Sequence, residues 1–348
     1  MASCVKKTQR AVLKPDDGLR VFLARRPLLL HNGRERSEEG GENVELLLDG
    51  LAITWREIDG GAEIVRVWPP LRRVELPETI EGRRVVGLAA RAFSPRGDEE
   101  MAAARTLRVV SLPRYLERVG DYAFYNCTEL QALELYDTTQ HWGVGCLMNC
   151  RALGRIELKA CAPHSTALYY FAQELSRELD VSVYDAGGDL RLIFPEFSED
   201  YENNDPAHHF DFRLYGAGYP YHEAFWEKEL SLSLFDGAWS GMLRRGHDEN
   251  CALRLAWYRL RFPRGLAPAA EKQYRAYLSD RCGALLLWAL RAGREELKAA
   301  LAAFPPQRED LAAALESARR EGMHEQVALL LDEQHRRFGA SVRKSFDL

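Results

Sequence analysis

Self-similarity at a fixed shift constrains this chain more than any other feature of its sequence, and such a period must be settled before any other reading. The segment Val119-Gly120-Asp121-Tyr122-Ala123-Phe124-Tyr125-Asn126-Cys127 is followed by Leu130, Leu133 and Leu135. Moved on by one period, Gly120 falls on Gly143, Ala123 on Cys146, Phe124 on Leu147, Asn126 on Asn149 and Cys127 on Cys150, while the three leucines fall on Leu153, Ile156 and Leu158. Small positions stay small and apolar positions stay apolar.

The same frame extends backwards. Leu88-Ala89-Ala90-Arg91-Ala92-Phe93 stands for the turn segment, Leu107, Val110 and Leu112 for the strand, and an insert within 94–106 lengthens the step from Phe93 to Phe124. Leu71, Val74 and Leu76 give an earlier strand that ends in Leu76-Pro77, as the later one ends in Leu112-Pro113. That makes about four coils. In each, the last two apolar residues are two apart and share one face of a strand, and the first enters the same core through the preceding bend. One coil cannot bury its apolar side alone; stacked coils form a parallel sheet over a continuous core, and each large side chain buried there contributes ~1.5–3 kcal/mol. Phe124 is therefore expected above Leu147, and Cys127 above Cys150. The glycine or alanine ahead of each Ala-Phe pair is read as the residue of a tight bend.

The residues Ile80-Glu81-Gly82, Val85, Leu88 and Ala92-Phe93, then Val119 through Cys127, resemble the leucine-rich repeats of the BspA-like subfamily over roughly residues 60–160. The resemblance implies a bacterial leucine-rich repeat protein that recognises proteins or surfaces without catalysis, and many members of that family are exported adhesins.

The repeat register names the outward side chains of the sheet. Positions one, two and four after each first leucine are Arg72, Arg73 and Glu75; Arg108, Val109 and Ser111; Gln131, Ala132 and Glu134; Gly154, Arg155 and Glu157. With strands ~4.8 Å apart, a basic edge would run beside an acidic one. Such a face is either a solvated surface of mixed charge or a recognition surface. Arg72, Arg73, Glu75, Arg108, Glu134, Arg155 and Glu157 are the candidate binding residues.

Beyond the repeats the composition shifts. Residues 180–236 hold 13 acidic side chains against three basic ones and 12 of the chain's aromatics. Val181–Tyr184 and Leu190–Phe194 read as a β-hairpin around Gly187-Gly188, and the acidic stretch 196–205 lacks the spacing of a calcium loop. The segment is read as a connector whose aromatics pack on both neighbours. From Asn250 the period becomes helical: Leu253, Leu255, Ala256 and Leu260 begin one amphipathic stretch that Pro263-Arg264-Gly265 ends, and further stretches follow over 271–278, 282–291, 294–303, 308–320 and 324–338. Gly293, Pro305-Pro306 and Gly322 mark short connections between antiparallel helices. Ala314, Leu315, Ala318, Gly322, Val327, Leu330 and Leu331 resemble the helix–Gly–helix part of an ankyrin repeat, without its Thr-Pro-Leu-His turn.

Chemistry is thinly marked. Cys146, Cys150, Cys161 and His164 could ligate zinc, yet Cys127 and Cys150 hold equivalent repeat positions, which explains them as buried small residues. Gly237-Ala-Trp-Ser240-Gly241 misplaces the serine of a nucleophile elbow. Gly143-Val-Gly145 lies within the repeat and Gly216-Ala-Gly218 runs into Tyr219-Pro220, so neither reads as a phosphate loop. His208-His209 beside Asp205 and Asp211 is a further conceivable acid–base cluster. A net charge of −5, with aromatics gathered where the charge is negative, argues against nucleic acid. No apolar run approaches the ~18 residues of a membrane span.

The expected fold is α+β: a loosely ordered extension (1–43), a short leucine-rich repeat solenoid with a parallel sheet (44–175), an acidic, aromatic β-containing connector (176–245) and an ankyrin-like helical array (246–348). Arg25-Arg26 interrupts the apolar stretches 21–24 and 28–30, and seven cysteines are an odd number, so the expected compartment is the cytoplasm. The expected function is noncatalytic recognition of an unidentified protein partner, with no catalytic residue, metal, cofactor or small-molecule substrate. An exported surface or adhesion protein, and a metalloprotein or enzyme, are the alternatives.

Overall fold

A computed structural model describes residues 43–48, 50–68, 70–161, 166–204 and 209–339, and of the extension expected at 1–43 only Asn43 lies within them. The architecture is mixed α+β. The chain enters through an antiparallel meander of β1 (Val44–Leu48), β2 (Leu51–Ile58) and β3 (Gly61–Trp68). Alternation along β2 buries Leu51, Ile53 and Trp55, the pattern of a strand with one face on a core. From there the chain shuttles between two sheets. It passes β4 (Arg73–Glu75), β5 (Thr79–Ile80), β6 (Arg83–Leu88), β7 (Val109–Ser111), β8 (Arg118–Val119), β9 (Ala132–Tyr136), β10 (His141–Trp142) and β11 (Arg155–Lys159). One sheet has the order β1-β2-β3-β6-β8-β10, with β5 on β6, and the other carries β4, β7, β9 and β11 side by side.

The ladders preserve the shift read from sequence, because Arg118 pairs with His141 and Ala132 with Arg155, both in parallel. Val74, Val110, Leu133 and Ile156 consequently align across neighbouring strands, and all four are buried. The insert between Phe93 and Leu107 contains helix α1 (Asp98–Ala104), which lengthens one coil without disturbing the register on either side.

The turn segments stack as closely as the strands. Phe93 and Phe124 lie ring on ring at 5.0 Å, and Phe93 N–H donates to the Ala123 carbonyl as Phe124 N–H donates to that of Cys146. The Cys127 thiol donates to the Phe93 carbonyl at 3.6 Å and the Cys150 thiol to the Phe124 carbonyl at 3.1 Å. Equivalent residues of successive coils therefore lie over one another, as the repeat demanded. Burial pushes the thiols of Cys127 and Cys146 up to about 12 and that of Cys150 up as well.

Gly120 and Gly143 depart from the bend expected of them. Neither has a positive φ; the left-handed positions are Arg91, Tyr122 and Gly145, which are equivalent in the repeat, and Asn126 with Asn149. The glycines are needed for closeness. A Cβ on Gly120 would lie 2.4 Å from the Ala90 nitrogen, and one on Gly143 would lie 2.4 Å from that of Asp121.

After the last full coil, α2 (Ala167–Glu174) leads into β12 (Leu179–Tyr184), which pairs in parallel with β11, and β13 (Leu190–Phe194) closes that sheet in antiparallel sense. The hairpin read from sequence is present and continues the repeat sheet. A separate ribbon, β14 (Ser198–Asn204) with β15 (His209–Tyr215), follows. Next come α3 (Tyr219–His222), the pair β16 (Phe225–Trp226) and β17 (Glu229–Leu230), α4 (Leu232–Gly237) and α5 (Trp239–Arg244). The helical region comprises α6 (Glu249–Arg261), α7 (Pro268–Asp280), α8 (Cys282–Ala292), α9 (Arg294–Ala303), α10 (Arg308–Arg320) and α11 (His324–Phe338). Asp248 caps α6 by accepting from Cys251 N–H, and Pro268 opens α7, where its missing donor costs nothing. Aromatics of 176–245 meet residues on either side: Phe225 meets Tyr169 of α2 at 5.5 Å, and Trp239 meets Tyr274 of α7 at 4.9 Å.

Gly143→Ala should destabilise the protein by ~1–3 kcal/mol, because backbone must move to admit the methyl. Gly237→Ala, in α4 with open space around the new carbon, should leave stability unchanged or raise it by up to ~1 kcal/mol. Chemical denaturation of the two variants beside the parent protein checks both.

Candidate functional site

In the repeat sheet, side chains that alternate with the buried column must point away from the core. One outward row is formed by the residues in register with Arg73, namely Val109, Ala132, Arg155 and Asp180; the other is Glu75, Ser111, Glu134, Glu157 and Ser182. Five of the seven residues expected on this face bear on it directly. Arg73 reaches across β7 to Glu134 at 2.6 Å, and Ser111 donates to the same carboxylate at 2.7 Å. Burial alone would raise the acid's pKa, but these hydrogen bonds and the Arg73 charge hold Glu134 below the usual carboxylate range. Arg155 pairs with Glu157 at 3.2 Å on its own strand, and Glu75 is exposed at the end of β4. Arg108 turns instead to Glu129, at 3.4 Å, in the loop ahead of β9. Arg72 precedes β4, and its carbonyl accepts from the N–H groups of Arg108 and Val109.

The face thus neutralises much of its own charge, and its cations and anions are held in fixed places. Beside it, at the C-terminal ends of the strands, lies a groove of about 520 Å3 lined by Arg73, Glu75, Glu134, Tyr136 and Lys159, with Leu48 of β1 contributing to the wall. Lys159 lies 5.1 Å over the Tyr136 ring, a cation–π contact that orders both side chains. Tyr136 and Lys159 were legible in principle, since they stand six after Leu130 and Leu153 and continue the outward alternation.

The far end of the same face is closed. Asp180 accepts from Arg191 through both oxygens, at 2.8 and 2.7 Å, and from Arg254 of α6 at 2.8 Å. Arg254 also pairs with Glu178, and these two acids outweigh its burial and raise its pKa. The Arg191 guanidinium lies 4.0 Å over the ring of Tyr258. Ile193, opposite Asp180 in the β12–β13 register, is 0% exposed. Helix α6 therefore covers the sheet at β12 and β13, and the open face spans β4, β7, β9 and β11. No periodicity could have announced this closure, because Asp180 and Arg254 belong to elements far apart along the chain.

The other candidates are dispersed. Cys146 and Cys150 are buried in the turn column, whereas Cys161 is exposed after β11, its backbone N–H held by Asp137 at 2.7 Å. His164 lies outside the described residues, as do Asp205 and His208; His209 and Asp211 belong to β15. Among the described residues no helix is long and apolar enough to cross a membrane.

Residues 99–179 match the family described as BspA type leucine rich repeat region (6 copies), so the resemblance read from Val119 through Cys127 holds. Among solved structures, the chain is similar to a leucine rich cell surface protein from Faecalibacterium prausnitzii A2-165, with 20% identity over 39% of this chain and 35% of that one and a TM-score of 0.28. The chain thus spans about a third of that protein's length. No curated protein matches the chain.

The thiols give a direct test of this geometry, because the thiolate is the reactive form and burial disfavours it. Iodoacetamide at neutral pH should alkylate Cys161 quickly and Cys127, Cys146 and Cys150 only after unfolding, as read by peptide mass spectrometry.

Proposed function

We propose that this protein is a noncatalytic recognition module, a short leucine-rich repeat solenoid that presents the open face of β4, β7, β9 and β11 to another protein. The observation that carries the reading is the pair of outward rows over β4, β7, β9 and β11, in which Ala132 is buried and Arg73, Glu134, Arg155 and Glu157 stand in fixed positions beside the groove at Tyr136 and Lys159. Extended faces of this kind suit macromolecular partners, which bury broad and partly polar surfaces. Repeats of the matching family support the same reading. The side chains involved are already hydrogen-bonded to each other, which lowers the entropy lost on docking.

Within this proposal the helical region from residue 246 is a second repeat-like surface that closes the sheet at one end and offers another place for contact. Cysteine usage supports a cytoplasmic location, which fractionation of the native cell would check.

Charge reversal tests the face. Glu75→Lys combined with Glu157→Lys leaves the Arg73–Glu134–Ser111 cluster intact, so the fold should survive with an unchanged melting temperature. Partners recovered by affinity purification from the native cell with the parent protein should be lost or reduced with the double variant. Equal recovery would remove the face from consideration as the docking surface.

A further inference from the structure

The groove at the C-terminal ends of β4, β7, β9 and β11 holds charges of two kinds. Arg73 and Glu134 cancel each other at 2.6 Å, and the Ser111 hydroxyl completes that cluster. Arg155 is likewise spent on Glu157, and Arg108 on Glu129. Glu75 and Lys159 line the same groove of about 520 Å3 and are not cancelled. The Glu75 carboxylate is exposed at the end of β4 and has no ion pair or side-chain hydrogen bond among the described residues. Glu78 lies beside it; its carboxylate accepts from the backbone N–H of Arg114 at 2.9 Å and meets no cation among the described residues. Lys159 is exposed on β11 and lies 5.1 Å over the Tyr136 ring, a contact that places its ammonium and leaves the charge unneutralised. The groove is therefore anionic at its β4 end and cationic at its β11 end, with a neutralised cluster between.

Three strand spacings separate β4 from β11, a span of ~14 Å. An extended polypeptide laid across the strands covers that span in about four residues at ~3.3 Å each, and an even separation puts both end side chains on the same side of the segment. We infer that the groove selects an extended segment of a partner protein with Lys or Arg at one position and Asp or Glu about four residues away, the cation set on Glu75 and Glu78 and the anion on Lys159. The inference rests on the reading of the open face as a docking surface and adds to it the chemistry of the partner. A uniformly acidic or uniformly basic segment loses at one end of the groove what it gains at the other, so the arrangement discriminates against both.

The probe is a phage-displayed library of random dodecapeptides panned on the full chain, followed by calorimetry with synthetic forms of the peptides recovered. The parent protein should enrich peptides with one cation and one anion about four residues apart. Lys159→Glu makes both ends of the groove negative and should enrich peptides in which a second cation replaces the anion. Against a peptide selected on the parent, Lys159→Glu should weaken binding by about fivefold or more and Lys159→Gln by less, and added salt should weaken it further. Lys159 is a surface residue, so neither replacement should change the melting temperature. Failure to enrich any peptide, enrichment of peptides without the charge pair, or the same pattern on the parent and on Lys159→Glu would overturn the inference. Native partners lost with Glu75→Lys plus Glu157→Lys yet kept with Lys159→Glu would overturn it alone and leave the docking face standing, whereas native partners indifferent to Glu75→Lys plus Glu157→Lys would remove the face and the inference together.

Discussion

Close approach of one turn segment to the next is the constraint on which the repeat half depends. The approach is possible only because Gly120 and Gly143 present no Cβ to the backbone beneath them. Once the turns touch, the hydrogen bonds from Phe93 to Ala123 and from Phe124 to Cys146 form, the Phe93 and Phe124 rings meet, and the thiols of Cys127 and Cys150 find carbonyls of the preceding coil. The strands follow from the same spacing. With the coils in register, Val74, Val110, Leu133 and Ile156 form one buried column, and the residues between them must face outward. The outward rows are thus a by-product of packing, available for recognition at no further cost in folding.

A stack of this kind has to end, and the two sheets end differently. The repeat sheet gains β12 and β13 and is then roofed by α6 through the Asp180–Arg254 and Arg191–Tyr258 contacts. The turn column is followed by α2, which buries Leu168, Phe171 and Ala172, and Cys146, Leu147 and Cys150 of the preceding turn are buried as well.

The helical half is fixed to the connector by a buried charge cluster. Arg259 of α6, fully buried, donates to both oxygens of Asp236 at 2.7 and 2.8 Å, and Tyr274 of α7 donates to the same carboxylate at 2.9 Å. Two further guanidinium donors reach the carbonyls of Phe262 and Arg264. Held by these hydrogen bonds, the pair sets α4, α6 and α7 in one arrangement, and loss of either partner would strand a buried charge. Neither residue was singled out by the sequence. Asp236 sits in a generally acidic stretch and Arg259 in an Arg-rich helix, and nothing in the local pattern distinguishes a buried charge from a solvated one.

The sequence by itself determined the coil period, the parallel register, the identity of the buried column, the places of Cys127 and Cys150, and the outward positions Arg73, Glu75, Glu134, Arg155 and Glu157, because all of these follow from spacing along a chain that repeats itself. It also determined the helical character of the region after residue 250. Only the tertiary structure decided that Arg108 turns away to Glu129, that α6 covers β12 and β13, and that the repeat glycines serve closeness instead of a bend. Those outcomes depend on which distant segments meet. A periodic pattern carries information about neighbours one repeat away and none about where the pattern stops.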